Sequence, residues 1–187
     1  MPASPKAPQP YFPVLEEEVR LLFVDDDPIL REFAAVHLAS ETVEVRTVGD
    51  GDEALAMLGE WPVDLMLLDL EMPRVDGFEV LERLAANPAH RDLPVIVVTG
   101  REDIAAIDRA FAVGATSFVC KPLNWRLLAY QIRYVRRARA AVAKAEARLA
   151  DLARETGRLL QLAGGEAPSP PLAALRAMLE PLANRAA

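Results

Sequence analysis

The sequence predicts a doubly wound α/β domain with a five-stranded parallel sheet, followed by a long C-terminal α-helix. Short runs rich in branched aliphatic residues alternate with segments in which apolar residues recur at helical spacing. The runs at 63–68 and 94–98 are apolar almost throughout, which is typical of central strands covered by helices on both faces. Strands separated by helix-length segments indicate βαβ units and therefore a parallel sheet.

The predicted elements follow one another in regular order. The strands are at 20–24, 43–48, 63–68, 94–98 and 116–119, and the helices are at about 28–39, 51–59, 77–86 and 102–113, with a fifth that begins near 123. Gly114 is placed to close the fourth helix, and Asn87-Pro88 to end the third. Together these units predict one domain over 19–138.

Four further segments surround this domain. Residues 1–18 are rich in proline, which removes backbone donors and predicts a flexible leader. The helical pattern continues over 139–163 as an extension of the fifth helix. A Gly-Gly and proline-rich linker at 164–171 interrupts it. A short amphipathic helical tail is predicted at 172–187.

A heptad pattern runs through the long helix. Its two core positions hold Leu128, Val135, Val142, Leu149 and Thr156, and Gln131, Ala138, Ala145, Leu152 and Leu159. Small or polar residues occupy half of this seam, so the pattern indicates a coiled coil of moderate strength. We expect a homodimer through this helix, and the alternative is an intramolecular hairpin with the tail at 172–187.

Composition excludes several classes of function. The net charge of −7 disfavours non-specific binding to nucleic acid. The long helix carries a basic cluster, Arg133, Arg136, Arg137 and Arg139, which we interpret as a solvated or partner-facing surface because no DNA-binding motif follows it. A single cysteine, Cys120, predicts a reducing compartment. No apolar run approaches the roughly 18 residues that span a bilayer, so we expect a cytoplasmic protein without membrane contact.

Polar residues end four of the predicted strands. They are Asp25, Asp26 and Asp27 after the first strand, Asp69 after the third, Thr99 after the fourth and Lys121 after the fifth. In open α/β sheets, ligands bind beyond the carboxyl ends of the strands. We therefore expect acids, a hydroxyl and an amine to converge at one edge of the sheet, while Asp27, which precedes Pro28, is expected to cap the first helix.

These residue types suit the transfer of a phosphoryl group. Clustered carboxylates repel one another, and a hard cation such as Mg²⁺ offsets that repulsion. A carboxylate such as Asp69 can act as a nucleophile and form an acyl phosphate. The charge on the transferring group is neutralised by a metal and by a cationic side chain, which Lys121 can supply. The Thr99 hydroxyl can donate a hydrogen bond to a phosphoryl oxygen.

The same segments resemble the receiver domain of bacterial response regulators, the phosphoacceptor half of two-component systems. The matching stretches are LLFVDDDPILR, DLMLLDLEMPRVDGFEVL, LPVIVVTG and FVCKP, in the order found in that family. The resemblance implies a flavodoxin-like fold, Mg²⁺ as cofactor, and a sensor histidine kinase or phosphotransfer protein as partner. It implies no enzymatic activity beyond the protein's own phosphorylation and dephosphorylation.

The resemblance also assigns roles to the site residues. Asp69 becomes the phosphoacceptor, and Thr99 and Lys121 become its catalytic partners. The implied magnesium ligands are Asp26, Asp69 and the backbone carbonyl of Glu71, with Asp25 acting through water. Phosphorylation would then switch the conformation and change output through dimerisation or another protein–protein interaction.

The resemblance places further residues around this centre. Phe118 is implied to change its rotamer together with Thr99. Glu71 and Arg101 flank the mouth of the site, where they would modulate hydrolysis of the aspartyl phosphate. The Lys121-Pro122 peptide bond is implied to be cis.

Three other interpretations remain. A phosphatase of the haloacid-dehalogenase type needs a second aspartate two residues after the nucleophile, but Leu70 and Glu71 follow Asp69. A receiver that serves only as a scaffold is disfavoured by the complete set of acids, hydroxyl and amine. The stretch Gly164-Gly165-Glu166 faintly resembles a diguanylate cyclase signature. Either this likeness is accidental, or the chain is a fragment of a larger response regulator whose enzymatic output domain is missing.

Overall fold

Five parallel strands form one sheet, as the sequence predicts, and numbered along the chain they lie side by side in the order second, first, third, fourth, fifth. The computed structural model describes residues 17–100 and 104–162, with side chains as far as Arg158. The strands are β1 (Val19–Val24), β2 (Val43–Val48), β3 (Leu65–Asp69), β4 (Val95–Thr99) and β5 (Ser117–Cys120). The helices are α1 (Pro28–Leu38), α2 (Gly51–Glu60), α3 (Gly77–Ala86), α4 (Ile104–Val113) and α5 (Trp125–Leu162). The predicted fold class is confirmed.

The three central strands owe their position to their apolar side chains. Every residue of β3 and β4 is buried, and successive side chains enter two different cores on the two faces of the sheet. On one face Leu22, Met66 and Val97 are buried together, and on the other face lie Phe23 and Leu67. The edge strand β2 instead alternates buried and exposed residues. This arrangement sets the carboxyl ends of β1 and β3 side by side.

Aspartates start three of the helices at that same edge. Asp27, Asp50 and Asp76 accept hydrogen bonds of 2.8–2.9 Å from the backbone amides of Ile29, Glu53 and Glu79 at the starts of α1, α2 and α3. The predicted capping role of Asp27 is confirmed. The predicted helix ends are also found, because Asn87 caps α3 and Gly114 adopts a φ of +121° after α4.

The third strand begins two residues later than predicted, because Asp64 forms hydrogen bonds to Arg20 in β1 and stands before the strand. Its carboxylate accepts hydrogen bonds from the Arg20 backbone amide at 2.9 Å, from Nε at 3.0 Å and from Nη2 at 2.8 Å. The Asp64 amide in turn donates to the Arg20 carbonyl oxygen at 2.9 Å. Residue 64 therefore ties the loop before β3 to the start of β1.

This pair predicts a pH-dependent loss of stability. Hydrogen bonds from Arg20 lower the pKa of Asp64 below its ordinary value of 3.8. The stabilisation is present above pH 3.8 and is lost as the pH falls through the folded-state pKa. For Asp64→Asn we expect the free energy of unfolding to fall by about 1 kcal/mol at pH 7, allowing for solvent screening. Urea unfolding at several pH values should show this difference shrinking below pH 3.8, whereas a pH-independent difference would contradict it. Glu60→Gln, at the exposed last residue of α2, is the control.

Helix α5 extends over 38 residues. Its first turns bury Leu128, Ile132 and Val135 in the core beneath the sheet. The heptad prediction is wrong at Leu128 and Val135, because those two side chains pack inside the domain and are not available for a seam between copies. The two residues do recur at helical spacing, but this spacing reflects packing against the domain's own sheet.

The chain divides into two compact units, 1–136 and 137–187. Within the described part of the second unit, Val142, Leu149 and Leu152 are 47%, 43% and 58% exposed. On the same stretch of α5, Ala150 is fully buried. Among the described heptad residues, the large apolar side chains that are open to a second copy are therefore Val142, Leu149 and Leu152.

Several predictions lie outside the described residues. They concern the leader as far as residue 16, Arg101, the side chain of Leu159, the linker at 164–171 and the tail at 172–187. Across the residues that the structure does describe, none of the helices combines the length and apolarity needed to cross a membrane.

Candidate functional site

The predicted polar residues lie together at the carboxyl edge of the sheet, where strand order reverses between β1 and β3. Asp25 follows β1, and Asp69 is the last residue of β3. Thr99 ends β4 directly opposite Cys120 in the register of β5, so that Lys121 comes next to it. Asp25, Asp69 and Thr99 are buried. Parallel pairing thus brings together residues that lie far apart in the sequence.

Lys121 is the link between the two buried acids. Its Nζ lies 2.6 Å from Oδ2 of Asp69 and 2.8 Å from Oδ2 of Asp25. The Lys121 backbone amide donates to the Thr99 carbonyl oxygen at 2.9 Å, which anchors the residue to β4. The Lys121-Pro122 peptide bond is cis, as predicted. One ammonium group therefore offsets the repulsion between two carboxylates.

Asp25, Asp26 and Asp69 form an acidic cluster that fits a divalent cation. One carboxylate oxygen from each lies within 4.8 Å of the others, and Asp26 is exposed while the other two are buried. Oδ1 of Asp25 accepts a hydrogen bond of 2.9 Å from the Asp27 amide. Oδ2 is buried beside Nζ of Lys121, which lies 2.8 Å away. A hard cation with oxygen ligands suits this set of acceptors.

The pKa values of the two central groups shift for different reasons. Loss of water contact raises the pKa of Asp25 above its ordinary value of 3.8, and the nearby ammonium group of Lys121 opposes this shift. Burial lowers the pKa of Lys121, but Asp25 and Asp69 outweigh it and hold the pKa above 10.5. Burial dominates at Asp25, which is fully buried. At Lys121 the two acidic partners dominate, because this side chain keeps part of its exposure. Lys121 is therefore a cation at neutral pH.

The loop after β3 turns closely over Asp69. The Glu71 amide donates to Oδ1 of Asp69 at 3.1 Å, and the Gly77 amide donates to the Leu70 carbonyl oxygen at 3.2 Å. A Cβ atom on Gly77 would lie 2.2 Å from the Asp69 carbonyl oxygen, so only glycine fits at the start of α3. This loop places Glu71, which is exposed, beside the acidic cluster.

Phe118 lies in β5 and contacts helix α4. Its side chain is partly exposed and packs edge-on against Phe111 of α4, with ring centroids 6.1 Å apart. Thr99, its predicted switching partner, is buried at the end of β4. The coupled movement of the two residues stays a prediction, as does the role of Arg101, which the structure does not describe.

Sequence reasoning did not single out three charged residues near the site. Arg31 of α1 donates from Nη1 to the Asp25 carbonyl oxygen at 2.6 Å. Asp50 and Arg74 form an ion pair beside the loop after β3. An aspartate directly before a predicted helix is a typical N-cap, so the sequence does indicate the role of Asp50 at the start of α2. Arg74 gives no such indication, because it adopts a left-handed φ of 69° where glycine or asparagine would have marked the turn.

Comparison with known proteins agrees with this geometry. Residues 21–133 match the response regulator receiver domain. The heme response regulator HssR of Staphylococcus aureus is 35% identical over 119 residues, which cover 64% of this chain and 52% of that protein. The chain thus spans about half the length of the curated relatives it matches.

Two solved structures illustrate the similarity of fold. A putative response regulator from Chloroflexus aurantiacus has a TM-score of 0.60 at 29% identity, covering 64% of this chain and 98% of that one. The chemotaxis response regulator CheY4 of Vibrio cholerae also has a TM-score of 0.60 at 29% identity, covering 63% of this chain and 98% of its own. Since the family match spans more than half of the 187 residues, the chain belongs to the family of response regulator receiver domains.

Proposed function

We propose that this receiver domain accepts a phosphoryl group on Asp69 with Mg²⁺ held by the acidic cluster. The observation that carries the proposal is the contact of one Lys121 ammonium with both Asp69 and Asp25 at the edge of the sheet. Asp26 and the Glu71 backbone carbonyl would complete the protein ligands of the metal with Asp69, and Asp25 would act through water. When bound, Mg²⁺ supplies positive charge for the phosphoryl oxygens.

The chain's own groups would act on the incoming phosphoryl group in turn. An oxygen of the Asp69 carboxylate forms the new bond to phosphorus as the bond to the donor breaks, with the donor atom leaving with the electron pair. Lys121 already lies beside Asp69, so its ammonium group needs little reorganisation to neutralise charge as it spreads over the phosphoryl oxygens. The Thr99 hydroxyl would donate a hydrogen bond to one of those oxygens.

The proposed donor is a phosphohistidine of a sensor kinase or of a phosphotransfer protein. We place this exchange in the cytoplasm, because the lone, unbridged Cys120 suits a reducing compartment. Thr99 and Phe118 would report the phosphoryl group to α4, since Phe118 packs on Phe111 of that helix. Glu71 and Arg101 would modulate hydrolysis at the mouth of the site.

Mg²⁺ affinity offers a matched pair of variants. Asp26→Asn removes a charged oxygen ligand from the cluster, and we expect the dissociation constant for Mg²⁺ to rise about tenfold or more. Asp27→Asn removes an adjacent charge but keeps a good helix cap, so its effect should stay within about twofold. Amide chemical shifts of Asp69 and Glu71 during titration with MgCl₂ give both constants. Equal losses in the two variants would reject the assignment of Asp26 as a ligand.

The proposed output is a homodimer through the exposed part of α5. Val142, Leu149 and Leu152 are large apolar residues at heptad spacing, and each is exposed on the helix. Burying such side chains stabilises association by roughly 1.5–3 kcal/mol each at most. The alanines at neighbouring seam positions keep the free energy of association modest. Phosphorylation at the sheet edge could therefore shift the equilibrium between monomer and dimer.

Light scattering tests the dimer directly. At tens of micromolar protein (a range that suits weak association), we expect the average mass to exceed that of a monomer and to respond to beryllofluoride with MgCl₂. Leu149→Asp with Leu152→Asp should reduce the mass to that of a monomer. Ala140→Asp with Ala147→Asp adds the same charge at exposed positions outside the seam and should leave the mass unchanged. A monomer under all conditions would reject the dimer.

A further inference from the structure

A buried carboxylate, that of Asp50, forms an ion pair with the loop that carries Glu71. Asp50 is 1% exposed, and its Oδ1 caps α2 by accepting from the Glu53 amide at 2.9 Å. The second oxygen, Oδ2, contacts Nη2 of Arg74. Arg74 belongs to the loop between β3 and α3, and its side chain is 68% exposed. The carboxylate is thus buried, and its cation comes from the loop.

The same loop packs directly on the start of α2. A Cβ atom on Gly51 would lie 2.5 Å from Cγ1 of Val75 and 2.7 Å from the Val75 carbonyl oxygen. This approach is closer than any side chain allows, so Gly51 leaves room for the loop backbone. Arg74 and Val75 therefore make an ionic and a steric contact with neighbouring residues of one helix end.

The turn before α2 also contacts the segment after β1, which carries Asp25 and Asp26. The Asp25 amide donates to the Val48 carbonyl oxygen at 3.2 Å, and Val48 precedes Asp50 by two residues. The loop after β3 begins at Asp69, whose Oδ1 accepts a hydrogen bond of 3.1 Å from the Glu71 amide. The turn from β2 to α2 thus contacts both the segment that carries Asp25 and Asp26 and the loop that carries Glu71.

We propose that Arg74 and Asp50 form a positioning pair that sets the Mg²⁺ affinity of the acidic cluster by fixing the loop through Glu71. This inference rests on the proposed function, because it concerns the same metal site. A buried carboxylate that loses its cation draws in water, and the loop then leaves the end of α2. The Glu71 carbonyl, three residues from Arg74, would lose its fixed position relative to Asp26 and Asp69. Groups that orient metal ligands typically change metal affinity by 10- to 100-fold.

The test is a titration with MgCl₂ followed by the amide signals of Asp69 and Glu71. Arg74→Asn removes the cation but keeps a residue type that tolerates positive φ, so the turn itself is retained. We expect the dissociation constant to rise about five- to tenfold, at the low end of the usual range because Arg74 is largely exposed. Arg74→Lys should recover most of the affinity. Arg83→Asn, in the exposed pairs with Asp52 and Glu79, is the control and should change the constant less than about twofold.

The double variant isolates the pair. Asp50→Asn keeps the helix cap while removing the buried charge, so Arg74→Asn should cost little further affinity in that background. Phosphoryl labelling of Arg74→Asn by acetyl phosphate should be slow at low Mg²⁺ and should recover at saturating Mg²⁺. Unchanged affinity in Arg74→Asn, or equal losses in both backgrounds, would overturn the inference, as would slow labelling that persists at saturating Mg²⁺. Failure of the wild-type protein to be labelled at all would instead reject the proposed function.

Discussion

Replacement of Asp69 by asparagine is expected to abolish phosphoryl labelling. Asn keeps the size of the side chain but its amide is not a carboxylate nucleophile, so no acyl phosphate can form there. Wild-type protein with acetyl phosphate and MgCl₂ should gain one phosphoryl group by intact-mass spectrometry, and Asp69→Asn should gain none. The fold should survive, because Lys121 retains its contact with Asp25 and one of two buried like charges has been removed.

A neighbouring aspartate provides the control for this experiment. Asp76 caps α3 by accepting from the Glu79 amide at 2.8 Å, and asparagine caps helices as well as aspartate does. Asp76→Asn should therefore be labelled to the same extent as the wild type. Labelling of Asp69→Asn at full yield would show that another residue is the acceptor.

Replacement of Lys121 by methionine is expected to destabilise the protein strongly when Mg²⁺ is absent. The substitution leaves Asp25 and Asp69 buried next to each other without their shared cation. Breaking a buried pair by removing one partner costs about 3–5 kcal/mol, and since Lys121 is partly exposed we expect a loss of about 2–3 kcal/mol. Phosphoryl labelling should also slow, because the cation beside the transferred group is gone.

The dependence on metal separates this cause from a simple loss of packing. At a concentration tenfold above its dissociation constant for the wild type, Mg²⁺ should stabilise the wild-type protein by about 1.4 kcal/mol. At the same concentration we expect a larger gain in Lys121→Met, because the metal replaces the missing positive charge and therefore binds more tightly. Urea unfolding with MgCl₂, compared with NaCl at equal ionic strength, measures both gains. Lys144→Met, at an exposed position on α5, is the control, and a destabilisation no larger than this control's would contradict the account.

The fold was predictable because its signals are local. Uninterrupted aliphatic runs mark β3 and β4, and an aspartate stands before each of the first three helices. The convergence of Asp25, Asp69, Thr99 and Lys121 was predictable for a related reason. Once strands are parallel, the residues that end them meet at one edge, so their place in the sequence fixes their place in the fold.

Other features depend on contacts that no local pattern records. Leu128 and Val135 fit a heptad, but helical spacing alone does not say whether an apolar stripe packs on its own sheet or on a second chain. The apolar neighbours of Asp64 predict a strand that includes it, but its side chain bonds to Arg20, 44 residues away, and the strand begins only after it. The pair of Asp50 and Arg74 also joins residues that are distant in sequence, and it has no motif of its own.

Chemical trapping of the phosphorylated residue tests the central claim most directly. Borohydride reduces an acyl phosphate to the alcohol, so a phosphorylated aspartate becomes homoserine and can be located by peptide mass spectrometry. After reaction with acetyl phosphate and MgCl₂, we expect homoserine at position 69, and we expect it to disappear when EDTA replaces the metal. Homoserine at position 25, 26 or 27 in place of 69, or at no aspartate of a protein that has gained phosphoryl mass, would contradict the assignment of Asp69 as the acceptor.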